Sequence, residues 1–329
     1  MKQIGINGFG RIGRYVTRLS LDSEEINVQV INDVADINTL AHLLKYDSVH
    51  RELKHSFRID GQRLVFTNGK VIEFTQEKNP ENIRWDSYGA DIVLESTGLF
   101  LTTELAGKHF LGGAKKVVIS APANSDEIKT IVMGVNESVL STEDTIISNA
   151  SCTTNNAAPM VMVLRNLCEI ESAYITTVHS YTSDQRLHDA PHKDLRRARA
   201  AAESIVPTST GAAKAITKIF PELDGKIGGC GVRVPVPDGS FTDLTMAVKN
   251  PPTVQEINAA MKQAAKTYLK GILAYTEDPI VSVDVIGNPA SCLFDAGLTS
   301  VVNNMVKVVG WYDNEAGYSN RLIDLIKCI

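Results

Sequence analysis

At 329 residues, with 43% hydrophobic and 22% charged side chains, the chain has the size of about two domains and the composition of a folded, water-soluble protein, which excludes disordered, collagenous and membrane-embedded classes. A formal net charge of −5 argues against a surface built to grip nucleic acid, and no apolar run approaches the ~18 residues of a membrane span. A cytoplasmic protein with neither nucleic-acid nor membrane partners is expected.

The first thirty-three residues read as strand, glycine turn, helix, strand. Ile4 and Ile6 lead to Asn7; Gly8, Gly10 and Gly13 make the turn; Ile12, Val16 and Leu19 take helical spacing; Val28, Val30 and Ile31 precede Asp33. Asp36 is placed to cap a helix carrying Ile37, Leu40, Leu43 and Leu44. Short alternating runs from 56 to 74, punctuated by Asp60-Gly61 and Asn68-Gly69, predict an antiparallel excursion. Apolar strands return at 91–95, 116–120 and 146–148, alternating with helices as in a doubly wound parallel sheet. In the second half, β runs at 174–179, 229–235, 242–248, 281–285 and 306–312, with helices near 210–220 and 253–269, predict an α+β domain with a mixed, largely antiparallel sheet. The closing run 320–329 is helical in pattern and placed to dock back on the first domain. The expected division is 1–150 for a Rossmann-type dinucleotide-binding domain, with a helix of about 315–329 returning to it, and 151–314 for a catalytic domain.

Gly8-Phe9-Gly10-Arg11-Ile12-Gly13 follows a strand and opens a helix, and Asp33 ends the next strand. This is the dinucleotide fingerprint: glycines let the backbone approach a pyrophosphate at the helix N-terminus, and the carboxylate accepts from ribose hydroxyls. Asp33 also bears on cofactor choice. A carboxylate about 4 Å from a 2′-phosphate costs a few kcal/mol at an effective dielectric near 20. If ~2 to 4 kcal/mol survives, NAD is preferred over NADP by roughly 30-fold to 1,000-fold.

The five cysteines, Cys152, Cys168, Cys230, Cys292 and Cys328, are odd in number, widely spaced and free of any CxxC, so neither a disulfide framework nor a metal site is expected. His188 and His192 are four apart, but Pro191 between them disfavours the helix that would pair them. Cys152 differs from the other cysteines. It sits in Ser151-Cys152-Thr153-Thr154-Asn155, after a strand and before a helical pattern in which Pro159 predicts a kink. A helix N-terminus favours thiolate. Even full ionisation gains only about 30-fold in population and returns about tenfold in nucleophilicity. His179, on another predicted strand, therefore counts most as a general base toward the oxygen of a thiohemiacetal.

Taken together, INGFGRIGR at 6–14, NDV at 32–34, STGLF at 96–100, ISAP at 119–122, SNASCTTN at 148–155, HSYTSDQR at 179–186, PTSTGAAKA at 207–215, RVPVP at 233–237 and WYDNEAGYSNR at 311–321 resemble phosphorylating glyceraldehyde-3-phosphate dehydrogenase over almost the whole chain. The resemblance implies oxidation of glyceraldehyde 3-phosphate, with NAD and inorganic phosphate, to 1,3-bisphosphoglycerate through a thioester on Cys152, with His179 as base. It implies cofactor contacts from Thr97, Gly98, Ser120, Asn314 and Tyr318. Thr182 and Arg233 match the site for the substrate phosphate, and Ser151, Thr153, Thr210 and Gly211 that for the attacking phosphate. A homotetramer is implied, with the Arg196, Arg197, Arg199 run in a loop between subunits.

The chain departs from the commoner pattern at several places. Asn156 stands where a second cysteine often follows the motif, so a disulfide with Cys152 is closed by that route; Asp238-Gly239-Ser240 and Ala316 also differ. The rival readings are an erythrose-4-phosphate dehydrogenase and a nucleotide-binding interaction protein without catalysis.

Overall fold

The computed structural model describes residues 1–329, which divide into two compact units: residues 1–131, 138–150 and 319–329 in the first, 132–137 and 151–318 in the second.

In the first unit, strands β1 (Lys2–Asn7), β2 (Ile26–Asn32), β3 (Phe57–Asp60), β4 (Arg63–Phe66), β5 (Val71–Thr75), β6 (Ile92–Glu95), β7 (Lys116–Ile119), β8 (Lys129–Thr130) and β9 (Ile146–Ser148) form one sheet in the order β3-β4-β5-β2-β1-β6-β7-β9-β8. From β5 to β8 all neighbours are parallel, and β3 and β4 add the antiparallel excursion as a hairpin at one edge. Helices α1 (Arg11–Leu21), α2 (Ile37–Lys45) and α3 (Thr103–Gly107) lie between the strands. Strands buried on both faces are mostly apolar, and β6 buries Ile92, Val93 and Leu94 before closing on a buried Glu95. Asp36 caps α2 by accepting from the N–H groups of Asn38 and Thr39. Leu43, expected in that helix's apolar stripe, is 39% exposed, because only Ile37, Leu40, Ala41 and Leu44 face inward. The strand order reverses direction between β1 and β6, the switch point at whose carboxyl ends such sheets open a binding crevice.

The second unit holds α4 (Cys152–Arg165), β10 (Glu169–Ser180), β11 (Val206–Thr208), α5 (Ala212–Ile219), β12 (Ile227–Val234), β13 (Ser240–Lys249), α6 (Val254–Lys266), β14 (Leu273–Thr276), β15 (Cys292–Asp295), β16 (Ser300–Val302) and β17 (Met305–Tyr312). The sheet runs β11-β12-β10-β13-β17-β15-β14 with β16 beside β17, and it is mixed: β10 pairs parallel with β12 and antiparallel with β13, which pairs antiparallel with β17. Alternate residues of β13, from Ser240 to Val248, are buried, and α4 packs on that face. α4 runs as one helix through Pro159 rather than breaking there. Its residues from Thr153 to Val161 are all buried, so packing outweighs the one lost backbone bond.

Residues 281–285 are not a strand. Ser282 to Val285 form a single 3-10 turn, closed by the Asp284 carboxylate accepting from Val281 N–H at 2.8 Å. Gly239 lies against this turn at φ +82; a Cβ there would stand 2.1 Å from the Ser282 carbonyl oxygen, so only glycine fits. The last helix, α7 (Ala316–Cys328), starts in the second unit, and its residues from Ser319 onward belong to the first. No helix is long and apolar enough to cross a membrane.

Candidate active site

Residues 146–152 run from the end of β9 to the head of α4. After Ser148 the chain turns through Ala150, whose φ of +55 is unusual for a residue with a Cβ and marks a backbone held by its surroundings. Ser151 is the N-cap: its Oγ accepts from Thr154 N–H at 3.1 Å, which leaves Cys152 as the first helical residue. Cys152 Sγ lies 3.4 Å from His179 Nε2. His179 comes from the far end of β10, where the parallel register sets it beside Arg233 of β12. Its Nδ1 is 2.8 Å from the Ser180 carbonyl and 2.6 Å from Arg233 Nη1, which also donates to that carbonyl at 3.0 Å. Tyr312 packs edge-on against the imidazole, and its hydroxyl meets the hydroxyls of Thr153 and Thr177, each at 2.9 Å.

The electrostatics correct one expectation from sequence. A helix N-terminus alone predicts a thiolate, yet burial pushes the Cys152 thiol up to about 11, against the lowering effect of the Arg233 charge and the Thr153 N–H. Burial, reinforced by Arg233, holds His179 down at about 3. The pair rests as thiol and neutral imidazole. Cys152 nonetheless keeps part of its surface open, as attack on a substrate requires.

The phosphate candidates divide. Arg233 faces the pair directly, and Arg197, which sequence reasoning left as an interface residue, adds a second positive charge felt by both His179 and Arg233. Arg197 is held in place by Asp184 and by the Thr208 hydroxyl at 2.9 Å. Thr182 follows β10 and its carbonyl accepts from Gln185 N–H at 2.9 Å. Thr210 Oγ1 accepts from Ala212 N–H at 3.2 Å and Gly211 caps α5, which packs against α4. Ser151 is committed to capping, and the Thr153 hydroxyl is buried and already bonded to Tyr312, so its backbone N–H is what it offers an anion. Asn156, in the position of the missing second cysteine, donates to the carbonyls of Ser291 and Trp311 at 3.3 and 3.1 Å.

Asn314 follows β17. Its Oδ1 accepts from the hydroxyls of Ser180 at 2.8 Å and Ser240 at 3.0 Å, which fixes the amide flip and leaves Nδ2 as the donor for a ligand. Its backbone N–H donates to Asp238 Oδ1 at 3.3 Å. Ser180, Ser240 and Tyr312 are site residues that sequence reasoning missed; no local motif marks a hydroxyl whose partner lies 74 to 159 residues away. Tyr318 is buried, and that burial, with a smaller contribution from Cys152 once it is ionised, pushes its hydroxyl well up.

The first unit carries the dinucleotide candidates at the carboxyl ends of its central strands. Gly8 turns at φ +95, and a Cβ there would come within 2.8 Å of Ser96 and Thr97; at Gly13 one would stand 2.3 Å from the Gly8 carbonyl oxygen. Gly10, by contrast, has open space where a Cβ would be, and α1 begins there with no side-chain cap. That cradle fits a pyrophosphate on backbone N–H groups. Phe9 N–H donates to Asp33 Oδ2 at 2.7 Å and Ala35 N–H to Oδ1 at 3.0 Å, holding the carboxylate with lone pairs to spare for a ribose diol. Phe9 is buried beneath this turn, while Arg11 and Ile12 open the helix and Arg11 pairs with Asp47. Thr97 and Gly98 follow β6, and Ser120 follows β7 with its N–H on the Glu95 carbonyl at 2.9 Å.

Two family models match the chain. The glyceraldehyde 3-phosphate dehydrogenase NAD binding domain matches residues 2–103, and the glyceraldehyde 3-phosphate dehydrogenase C-terminal domain matches residues 151–314. The chain is 55% identical over 325 residues to glyceraldehyde-3-phosphate dehydrogenase of Geobacillus stearothermophilus, covering 98% of this chain and 96% of the relative. It is 54% identical over 325 residues to glyceraldehyde-3-phosphate dehydrogenase 1 of Bacillus subtilis, with the same coverage of 98% and 96%. With the Priestia megaterium enzyme of that name it shares 53% over 329 residues, 99% of this chain and 98% of the relative.

Proposed function

Because the chain belongs to the glyceraldehyde-3-phosphate dehydrogenase family, we propose that Cys152 is the nucleophile and His179 the base in its oxidation of glyceraldehyde 3-phosphate. The protein is an NAD-dependent oxidoreductase acting on that aldehyde, with phosphate as co-substrate. The observation that carries the assignment of roles is the 3.4 Å approach of Sγ to Nε2. Neither rival reading is favoured by the relatives.

In this mechanism an anion that engages Arg233 draws it off Nδ1, so the ring proton sits on Nδ1, donating to the Ser180 carbonyl, and Nε2 faces the reacting atoms bare. Sγ attacks the aldehyde carbon as its proton passes to Nε2, and Nε2 returns that proton to the oxygen to give a thiohemiacetal on Cys152. His179 then accepts the hydroxyl proton as the carbonyl re-forms. NAD, when bound, supplies the acceptor for the hydride that leaves this carbon. The resulting acyl thioester is attacked by phosphate, releasing 1,3-bisphosphoglycerate and the thiol. Arg233 with Thr182, and the helix-end groups at Ser151, Thr153, Thr210 and Gly211, hold the two phosphates. Gly8 to Gly13, Asp33, Thr97, Gly98, Ser120, Asn314 and Tyr318 hold the cofactor.

We assign cofactor binding to residues 1–150 with the helix 315–329, and catalysis to 151–314. A cytoplasmic homotetramer is also proposed; Leu187, Leu195 and Ile205, 73%, 82% and 69% exposed around the 181–205 loop, support an interface there.

The test is NADH formation by the purified protein with glyceraldehyde 3-phosphate, with phosphate present or withheld and with NAD or NADP. Sustained turnover should require phosphate, and NAD should be preferred by roughly 30-fold to 1,000-fold, a gap that Asp33→Gly narrows. Undiminished steady-state turnover without phosphate would remove the thioester route.

A further inference from the structure

Beneath the dinucleotide turns of the first unit lies a buried polar network that the reaction does not use. Glu95, at the end of β6, and His109 are both fully covered. Trp85 Nε1–H donates to His109 Nδ1 at 3.2 Å, so the hydrogen-bond network assigns the ring proton to Nε2, which lies 2.9 Å from Glu95 Oε2. His109 is therefore a neutral imidazole donating to a carboxylate. Glu95 Oε2 also accepts from Asn7 Nδ2 at 2.7 Å, and Oε1 accepts from Thr97 N–H at 2.8 Å and from the Thr97 hydroxyl. Four donors fill the acceptor sites of one ionised carboxyl, and none of them is a cation.

Those donors join every turn assigned to the cofactor on the three central strands. Asn7 precedes Gly8, and its Oδ1 accepts from Asn32 Nδ2 at 2.8 Å. Asn32 precedes Asp33, and its own Oδ1 accepts from the Thr75 hydroxyl and Glu77 N–H, each at 2.8 Å. Thr97 is bonded to Glu95 directly, and Ser96 Oγ donates to the Gly8 carbonyl at 2.6 Å. The bonds thus run from Glu95 to the ends of β1 and β6 directly and to the end of β2 through Asn7.

We propose that Glu95, oriented by His109 and Trp85, is a positioning residue for the dinucleotide: one buried carboxylate locks the Gly8, Asp33 and Thr97 turns in a single arrangement. This rests on the cofactor reading above. A buried anion held by neutral dipoles tolerates little displacement, because each donor it loses leaves charge unsolvated. That makes it a stiff anchor, whereas an apolar residue here would leave Thr97 and Asn7 to choose other partners.

The test uses the full-length protein. NAD dissociation constants are measured for Glu95→Gln, His109→Phe and His109→Gln alongside thermal melts and cofactor-free alkylation of Cys152 by iodoacetamide. Glu95→Gln and His109→Phe should raise the NAD dissociation constant on the order of tenfold while alkylation stays within about twofold, and His109→Gln, which keeps a donor, should recover most of the affinity. Folded variants that melt lower but bind NAD as the parent does would reduce the network to a stabilising role and overturn the proposal. If Glu95→Gln does not fold, Trp85→Phe removes the donor that sets the imidazole tautomer along with part of a buried indole, and the same rise in the dissociation constant is expected. Failure of the unmodified protein to bind NAD would instead overturn the cofactor reading itself.

Discussion

The two sheets present their chemistry in opposite ways. In the parallel sheet, the groups proposed to hold the cofactor sit beyond the strand ends, at Gly8, Asp33 and Thr97, and consist largely of backbone in tight turns. In the mixed sheet they are side chains, of His179 and Ser180 on β10, Arg233 on β12, Ser240 on β13 and Tyr312 on β17, gathered from several strands near the head of α4. A strand end is a local event and is written in consecutive residues. A cluster drawn from several strands is assembled by register, which brings Thr153 to Tyr312 and Ser180 to Asn314 across more than a hundred residues.

The largest expected effect tests the side-chain half. Cys152→Ser should lower turnover by at least about 10⁴-fold while leaving NAD binding intact, since the nucleophile and the cofactor turns belong to different units. A variant that still turns over would mean that the sulfur is not the acyl carrier.

Next comes the base. His179→Asn should slow single-turnover acylation by ~100-fold or more. It also has a stability signature. The folded histidine sits at about 3 and its unfolded counterpart near 6.5, so the unfolded chain holds one more proton between those values and stability falls as pH drops through that window. The loss amounts to a few kcal/mol, and His179→Asn should flatten it. An unchanged acid-unfolding curve would show that the imidazole is not held neutral.

The backbone half is sharpened by two glycines. Gly10→Ala should leave the melting temperature near that of the parent, because space is open there, yet weaken NAD binding by about tenfold. Gly8→Ala should cost about 1 to 3 kcal/mol of stability before any question of binding arises, since φ +95 and the nearby Thr97 backbone exclude a Cβ. Equal behaviour of the two variants in melts and titrations would erase the distinction between a folding glycine and a ligand glycine.

The same contrast explains what the sequence allowed one to read. Glycine spacing, Asp33 and the capped cysteine were legible because each is local. Ser180 and Ser240 were not, because a serine in a strand says nothing of the amide it will orient. Residues 281–285 read as a strand from their alternating valines, but the Asp284 side chain closes a turn there and Gly239 leaves room for it. The thiol's state was misjudged for a related reason. A helix end is visible in sequence, whereas the desolvation that opposes it depends on residues brought in from other strands.

That opposition gives the smallest effect and the finest test. Arg233 is the charge that holds the Cys152 thiol below where burial alone would put it, and it is also the group proposed to meet the substrate's phosphate. Arg233→Gln removes both actions, but only one of them operates in the absence of substrate. The pH midpoint of Cys152 alkylation, measured without aldehyde or cofactor, should move up by about one unit and the rate at neutral pH should fall by about tenfold. The uncharged variant also removes a charge that lowers His179, and a more readily protonated imidazole beside Sγ favours thiolate, so the shift is read in a His179→Asn background, where that compensation is absent. A midpoint that stays put or moves down would mean that the head of α4, and not the Arg233 guanidinium, sets the sulfur's reactivity.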